Sequence, residues 1–166
     1  MKIDDIDPLK LDLTHYQIES NVQLKQDVKI GIVVARFNDA ITTRLLKGVL
    51  DYFKEAGILD CSVTIAYVPG AFELPFKAQQ LLQSGSDGVI CLGCVIRGAT
   101  SHFDYVAGEC ARGIMRVSLT ENKPVIFGVL TTDTVDQAFE RCQNNEFNKG
   151  TEAAVSMVQL LRSLAR

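Results

Sequence analysis

Apolar and polar positions along the 166-residue chain follow two rhythms that alternate. Val28 to Val34 (VKIGIVV) is a β-branched apolar run of strand length. It is followed by Ile41, Leu45, Leu46, Val49, Leu50 and Phe53, which fall on one helical stripe. Asn38 stands where a helix cap belongs and Gly57 where a helix ends. The unit then recurs. Val63 to Val68 reads as strand, Phe72 to Gln83 as helix and Gly88 to Ile96 as strand. A helix from about Phe103 to Thr120 carries Val106, Cys110, Ile114 and Val117 on one face, and Pro124 to Leu130 gives a fourth strand. Thr134 with Gln137 forms a capping box for a short helix to about Arg141. Asn148 caps a last helix that carries Ala154, Met157, Val158, Leu161 and Leu164.

Near-continuous apolar strands separated by helices specify a parallel sheet covered on both faces and joined by right-handed crossovers. The expectation is one three-layer αβα domain, an α/β fold with a four-stranded parallel sheet, from Val28 to the end. Residues 1–27 differ. They are polar and mixed, include Pro8 and show no sustained period, so they read as an arm that orders against something else.

Composition narrows the function. With 47% hydrophobic and 22% charged residues, the chain can bury one core large enough to offset the entropy of ordering. A net charge of -3 without a strong basic cluster argues against a nucleic-acid partner. The longest apolar run, Gly88 to Ile96, is far short of the roughly 20 residues of a membrane helix. The start MKIDDIDPLK lacks the apolar region of a secretory signal, so a cytoplasmic protein without a membrane partner is expected. Five scattered cysteines, Cys61, Cys91, Cys94, Cys110 and Cys142, are then expected as thiols.

Ligands of open parallel sheets bind outside the carboxyl ends of the strands. The segments there are Ala35-Arg36-Phe37-Asn38, then Pro69-Gly70-Ala71-Phe72-Glu73, then Arg97 to Asp104 (RGATSHFD). Together they bring an aromatic ring, a carboxylate and an imidazole to one edge. Gly98-Ala99-Thr100-Ser101 leads into a helix whose first N–H groups and positive dipole end suit a phosphate, although plain capping uses the same residue types. His102 is either a proton-transfer group, since histidine titrates near neutrality, or a first-turn residue without chemical duty. His15, in the arm, has no assigned role. Phe37 is a stacking platform, a core plug or a subunit contact. Glu73 either accepts hydrogen bonds from ligand hydroxyls or biases a first helical turn.

Cys91-Leu92-Gly93-Cys94 is not a metal motif. It lies inside a strand where residues three apart face opposite ways, and no second pair completes a zinc set. Arg141 ends its helix, and about seven residues at roughly 1.5 Å each carry it about 10 Å back from the strand ends. The helix dipole explains a cation there, unless a neighbouring subunit brings it to the site. Lys149, near a helix start, is electrostatically disfavoured and points to an anionic partner or ligand.

Three motifs in order carry a resemblance: VPGAFELP at Val68 to Pro75, LGCVIRGATSHFDYVA at Leu92 to Ala107, and NKGTEAA at Asn148 to Ala154. From about Val28 onward the chain resembles the lumazine synthase family. The resemblance implies a flavodoxin-like subunit, an N-terminal arm added to a neighbour's sheet, and homo-oligomers built from pentamers with active sites between subunits. It implies riboflavin synthase as a candidate partner and no metal or organic cofactor. It also implies the reaction, condensation of 5-amino-6-(D-ribitylamino)uracil with 3,4-dihydroxy-2-butanone 4-phosphate to 6,7-dimethyl-8-ribityllumazine with release of phosphate and water.

By matching positions, Phe37 would stack on the pyrimidine, while Ala71, Phe72 and Glu73 would hold the ring and ribityl chain. Cys94, Val95 and Ile96 would give mainly backbone contacts. Ala99, Thr100 and the neighbouring subunit's copy of Arg141 would hold the phosphate. His102 resembles the proton-transfer residue, and Phe127 with Lys149 would complete the pocket across the interface. The connection Cys142-Gln-Asn-Asn-Glu-Phe147 departs from the small, glycine-containing one common in the family, and Thr151 stands where an aromatic is common. Pentamer, decamer and capsid therefore stay open. A non-catalytic flavin- or lumazine-binding module and a flavodoxin-like electron carrier are the competing readings.

Overall fold

A computed structural model describes residues 27–58, 63–145 and 147–164. The expected arm thus lies, but for Asp27, outside the described residues. The strands are β1 (Ile30–Ala35), β2 (Val63–Val68), β3 (Gly88–Ile96) and β4 (Val125–Thr132). The helices are α1 (Asp39–Glu55), α2 (Leu74–Gln83), α3 (His102–Glu121), α4 (Val135–Glu140) and α5 (Lys149–Leu164). The four strands form a parallel sheet in the order β2-β1-β3-β4. It is an α/β, flavodoxin-like arrangement, and the chain reverses its direction of winding between β1 and β3, where a crevice is expected.

Alternation along the strands divides the core in two. Ile30, Ile32, Val34, Ile90, Leu92, Cys94 and Leu130 pack with α1 and α5, while Val33, Ala35, Val89, Cys91 and Val129 pack with α2 and α3. The two faces account for the near-continuous apolar character of β1 and β3. The stripe of α1 is narrower than expected. Ile41, Leu45, Leu46, Val49 and Phe53 are buried, but Leu50 lies on the flank of the stripe and is 37% exposed. Leu164 comes a turn after the last buried α5 residue, Leu161, and is also exposed.

Asn38 does not cap α1 with its side chain. Its backbone is left-handed (φ 60°), and the amide reaches elsewhere. The segment expected to be helical from Phe72 begins instead as a 3-10 turn, Ala71–Glu73, before α2 starts. Gly150 lets α5 cross α1 closely, because a Cβ there would lie 2.0 Å from the Leu45 carbonyl oxygen. Thr151, in place of a common aromatic, donates to the Gly48 carbonyl at 3.3 Å, which uses the same tight crossing.

Cys91, Cys94, Cys110 and Cys142 are buried free thiols, with Cys91 and Cys94 in opposite halves of the core. Burial pushes the Cys94 pKa up to about 11 and that of Cys110 to about 12, and raises Cys91 furthest. An alkylating reagent at pH 8.5 is expected to leave Cys91, Cys94 and Cys110 unlabelled in the folded protein and to label them after unfolding, read by peptide mass spectrometry. Native labelling at the unfolded rate would contradict their placement. The thiols' contribution to stability is complete below the ordinary value of 9.0 and is lost as pH rises through 11 and 12.

Candidate active site

The residues that end β1, β2 and β3 are tied together before any side chain is considered. Past the strand ends, Arg36 N–H donates to the Val68 carbonyl at 2.8 Å and Phe37 N–H to that of Pro69 at 2.9 Å. This holds the Phe37 segment against the Pro69–Glu73 segment. Asn38 then spans the β1/β3 crevice, its Nδ2 donating to the Cys94 carbonyl at 2.9 Å. A left-handed backbone at Asn38 turns the chain so that Phe37 projects outward, 70% exposed. That exposure removes the core-plug reading and leaves a stacking platform or a subunit contact.

Ala71 is buried, whereas Phe72 and Glu73 are exposed at the same edge. Glu73 Oε2 accepts the Gly70 N–H at 2.9 Å, which is the local, turn-starting role. A carboxylate offers about four acceptor positions, so this bond leaves capacity for a ligand hydroxyl. On β3, Cys94 is buried and Val95 and Ile96 are half-buried, ending the strand beside the Asn38 bond.

Ala99, Thr100, Ser101 and His102 are all exposed where β3 passes into α3. Ser101, at the start of α3, makes no side-chain cap; the His102 N–H meets Thr100 Oγ1 at 3.4 Å, a long contact. The Asp104 N–H turns back to the Ser101 carbonyl at 3.0 Å, and the start of this 20-residue helix, without a side-chain cap, presents its positive dipole end at exposed residues. This segment is bracketed by Arg97, which the sequence reading passed over. Its Nε donates to Asp133 at 2.9 Å and its Nη1 to Asp104 at 3.1 Å, and the guanidinium lies 4.1 Å from the centre of the Phe103 ring. The bonds to Asp133 and then Asp104 push its pKa further up.

The remaining candidates gather elsewhere. Phe127, Arg141 and Lys149 line one open cavity of about 320 Å³ along β4 and the start of α5, together with Glu152. Phe37, Glu73, Thr100 and His102 do not line it. β4 is an edge strand of the described sheet, so this cavity lies at the sheet's side. Both cations have internal partners. Arg141 Nη1 donates to the Gln137 carbonyl at 2.9 Å, the helix-terminal role, and Lys149 Nζ donates to Glu152 at 2.7 and 2.8 Å. Glu152 thus offsets the misplaced charge that had pointed to an anion.

Thr134 Oγ1 accepts the Gln137 N–H at 3.2 Å as expected, but the Gln137 side chain takes the Asp133 N–H, one residue earlier than a regular capping box. Asn148 is a larger departure. It caps α5 through Oδ1 and, buried, also donates through Nδ2 to the carbonyls of Arg44, Cys142 and Gln143. The Lys149 N–H donates to the Arg141 carbonyl at 2.9 Å, so the two cations share one backbone frame. Among the described residues, no three His, Cys, Asp or Glu side chains stand close enough to hold a metal. No helix among them is long and apolar enough to cross a membrane.

One comparison bears directly on this geometry. A protein-family model described as 6,7-dimethyl-8-ribityllumazine synthase matches residues 27–165, which takes in every candidate side chain named above. The chain belongs to the 6,7-dimethyl-8-ribityllumazine synthase family, a family of transferases of riboflavin biosynthesis.

Proposed function

We propose that the chain catalyses condensation of 5-amino-6-(D-ribitylamino)uracil with 3,4-dihydroxy-2-butanone 4-phosphate, in active sites that each draw on two copies of the chain. The observation that carries this reading is the separation of the candidates into two half-sites. One half, at the ends of β1 to β3, offers the exposed Phe37 ring, the Ala71–Glu73 turn, the end of β3, and Ala99, Thr100 and His102. The other half, along β4 and α5, offers Phe127, Arg141 and Lys149 in a cavity of ligand size. Each half lacks what the other has.

In this reading Phe37 stacks on the pyrimidine, Phe72 and Glu73 hold the ring and ribityl hydroxyls, and the backbone of Cys94 to Ile96 lines the floor. The α3 N-terminus with Ala99 and Thr100 receives the phosphate, and Arg141 of a second copy closes over it. The pyrimidine's 5-amino group attacks the ketone; loss of water gives the imine, phosphate leaves, and ring closure expels a second water. His102 moves protons in these steps. Holding two reactants in register is the largest contribution, and for well-oriented reactants it reaches about 7 to 11 kcal/mol.

Assembly as a homopentamer fits the surface. Phe72, Phe76, Tyr105, Met115 and Leu119 are large apolar side chains left exposed on one chain, and β2 is an edge strand of the described sheet, able to accept an added strand. The expected donor is the arm of residues 1–27 from a neighbour. Four buried thiols suit a cytoplasmic, reducing setting.

The test is to mix purified protein with both substrates and follow lumazine absorbance against the spontaneous condensation. Acceleration is expected. In Arg141→Ala, the KM for the butanone phosphate is expected to rise roughly 10- to 100-fold, the loss of one charge-assisted contact, with the pyrimidine's KM little changed. Normal saturation by the phosphate substrate in that variant would remove Arg141 from the site. No acceleration by the unaltered, assembled protein would leave a lumazine- or flavin-binding module.

A further inference from the structure

We propose that Arg97 is a positioning residue that fixes the Gly98–His102 segment, and with it the phosphate cradle and the proton-transfer imidazole, between the ends of β3 and β4 and the first turn of α3. The assignment of roles within that segment rests on the function proposed above; the clamp itself rests on geometry.

Beyond the Asp104 N–H bond to the Ser101 carbonyl at 3.0 Å and the long His102–Thr100 contact, the segment has little else to hold it. Ala99 to His102 are exposed, and a Cβ added at Gly98 would meet nothing within 4 Å, so packing does not fix its path. Both of its ends are fixed by one residue. At the near end, Arg97 N–H donates to the Thr132 carbonyl at 2.9 Å, which registers β3 against the end of β4. At the far end, the same residue's guanidinium meets Asp104 and the Phe103 ring in the first turn of α3, and through Nε it also holds Asp133 just past β4. A planar fork that binds two carboxylates while stacking on an aromatic face fixes direction as well as distance, which an ammonium does not.

The energetics separate this role from a structural one. Arg97, Asp104 and Asp133 are largely exposed, and exposed ion pairs contribute little to global stability. A displacement of about 1 Å at a catalytic group can nonetheless cost on the order of 10²-fold in rate. Arg97 is therefore expected to matter far more for turnover than for folding.

The experiment compares Arg97→Met, Arg97→Lys, Asp104→Asn and the Arg97→Met/Asp104→Asn double variant in the assembled protein. In Arg97→Met, kcat is expected to fall roughly 10- to 100-fold, with the thermal midpoint within about 4 °C of the unaltered protein. Arg97→Lys should not restore kcat, and Asp104→Asn should lower it in the same direction. The double variant should cost no more than Arg97→Met alone, because the two side chains act as one unit. If Arg97 gripped the phosphate directly, Asp104→Asn would leave kcat intact and Arg97→Met would raise only the KM of the phosphate substrate; that pattern overturns the proposal.

Amide hydrogen exchange at Asp104, whose N–H is held by the Ser101 carbonyl at 3.0 Å, reads the clamp without any turnover. Exchange there in Arg97→Met is expected to be about tenfold faster, and unchanged in β3. Unchanged exchange at Asp104 would refute the clamp even in an active synthase. Faster exchange in a protein that never accelerates the condensation would retain the clamp and refute the proposed function.

Discussion

Replacing His102 with alanine is expected to lower turnover about 10²- to 10⁴-fold, the usual contribution of a positioned proton-transfer group, while the KM of each substrate changes only a few-fold. The imidazole stands exposed in the first turn of α3, one residue past Ser101, and its backbone N–H is only loosely held by Thr100. It is thus next to the N–H groups proposed to receive the phosphate, where a proton must move as phosphate leaves. His102→Gln keeps a hydrogen-bonding side chain of similar length but cannot relay a proton near neutrality, so it should resemble the alanine variant in kcat. An unchanged kcat in both variants would remove His102 from the chemistry. A large rise in both KM values with kcat preserved would recast it as a binding group.

The largest effect on stability is expected from Asn148→Asp. The Asn148 side chain, 3% exposed, accepts the Gly150 and Thr151 N–H groups at 2.8 and 3.3 Å. Its Nδ2 shares two hydrogens among the carbonyls of Gln143, Cys142 and Arg44 at 2.9, 3.0 and 3.3 Å. Aspartate would retain the cap but turn an oxygen toward three carbonyl oxygens in a buried place. Leaving such groups unpaired costs about 1 to 3 kcal/mol each, so a loss of roughly 3 to 5 kcal/mol is expected. For a chain of this size that lowers the thermal midpoint by about 10 °C at equal protein concentration. The same change should raise the KM for the phosphate substrate, because Lys149 and Arg141 flank this junction. A midpoint within about 2 °C of the unaltered protein would show that the junction tolerates the charge, and the hub would lose its energetic meaning.

Much of the architecture is legible in the sequence because its signals are local. β2 and β3 run over the residues expected of them, Val63–Val68 and Gly88–Ile96, since each is an apolar run bounded by polar or turn-forming residues. The Asn148 cap of α5 is legible for the same reason. What escaped depends on partners distant in sequence. Asn38 looks like a helix cap, and only the sheet order reveals that its amide reaches a β3 carbonyl 56 residues away. Arg97 reads as an ordinary residue after a strand until β4 brings Asp133, 36 residues on, beside it.

The candidate site shows the same limit. His102, Thr100 and Phe37 share an edge because strand ends do so in any parallel sheet. Arg141 looked misplaced from helix length alone, and it does line a different cavity, with Phe127 and Lys149. Lys149 stands out in the sequence by its unfavourable position in the helix dipole, yet Glu152, three residues later on the same face, holds it. An i, i+3 scan would have found that pair.

The central claim, an active site assembled from two copies of the chain, is tested most directly by coexpressing His102→Ala and Arg141→Ala chains and assaying the mixed assemblies for lumazine formation. If each site takes His102 from one copy and Arg141 from the next, random mixing around a closed ring restores both groups at about a quarter of the interfaces. With the butanone phosphate held well below its KM, where the Arg141→Ala parent is slow, the account predicts that fraction of the unaltered activity. Activity no greater than the average of the two parent variants would contradict it and would place both residues in the service of a single chain.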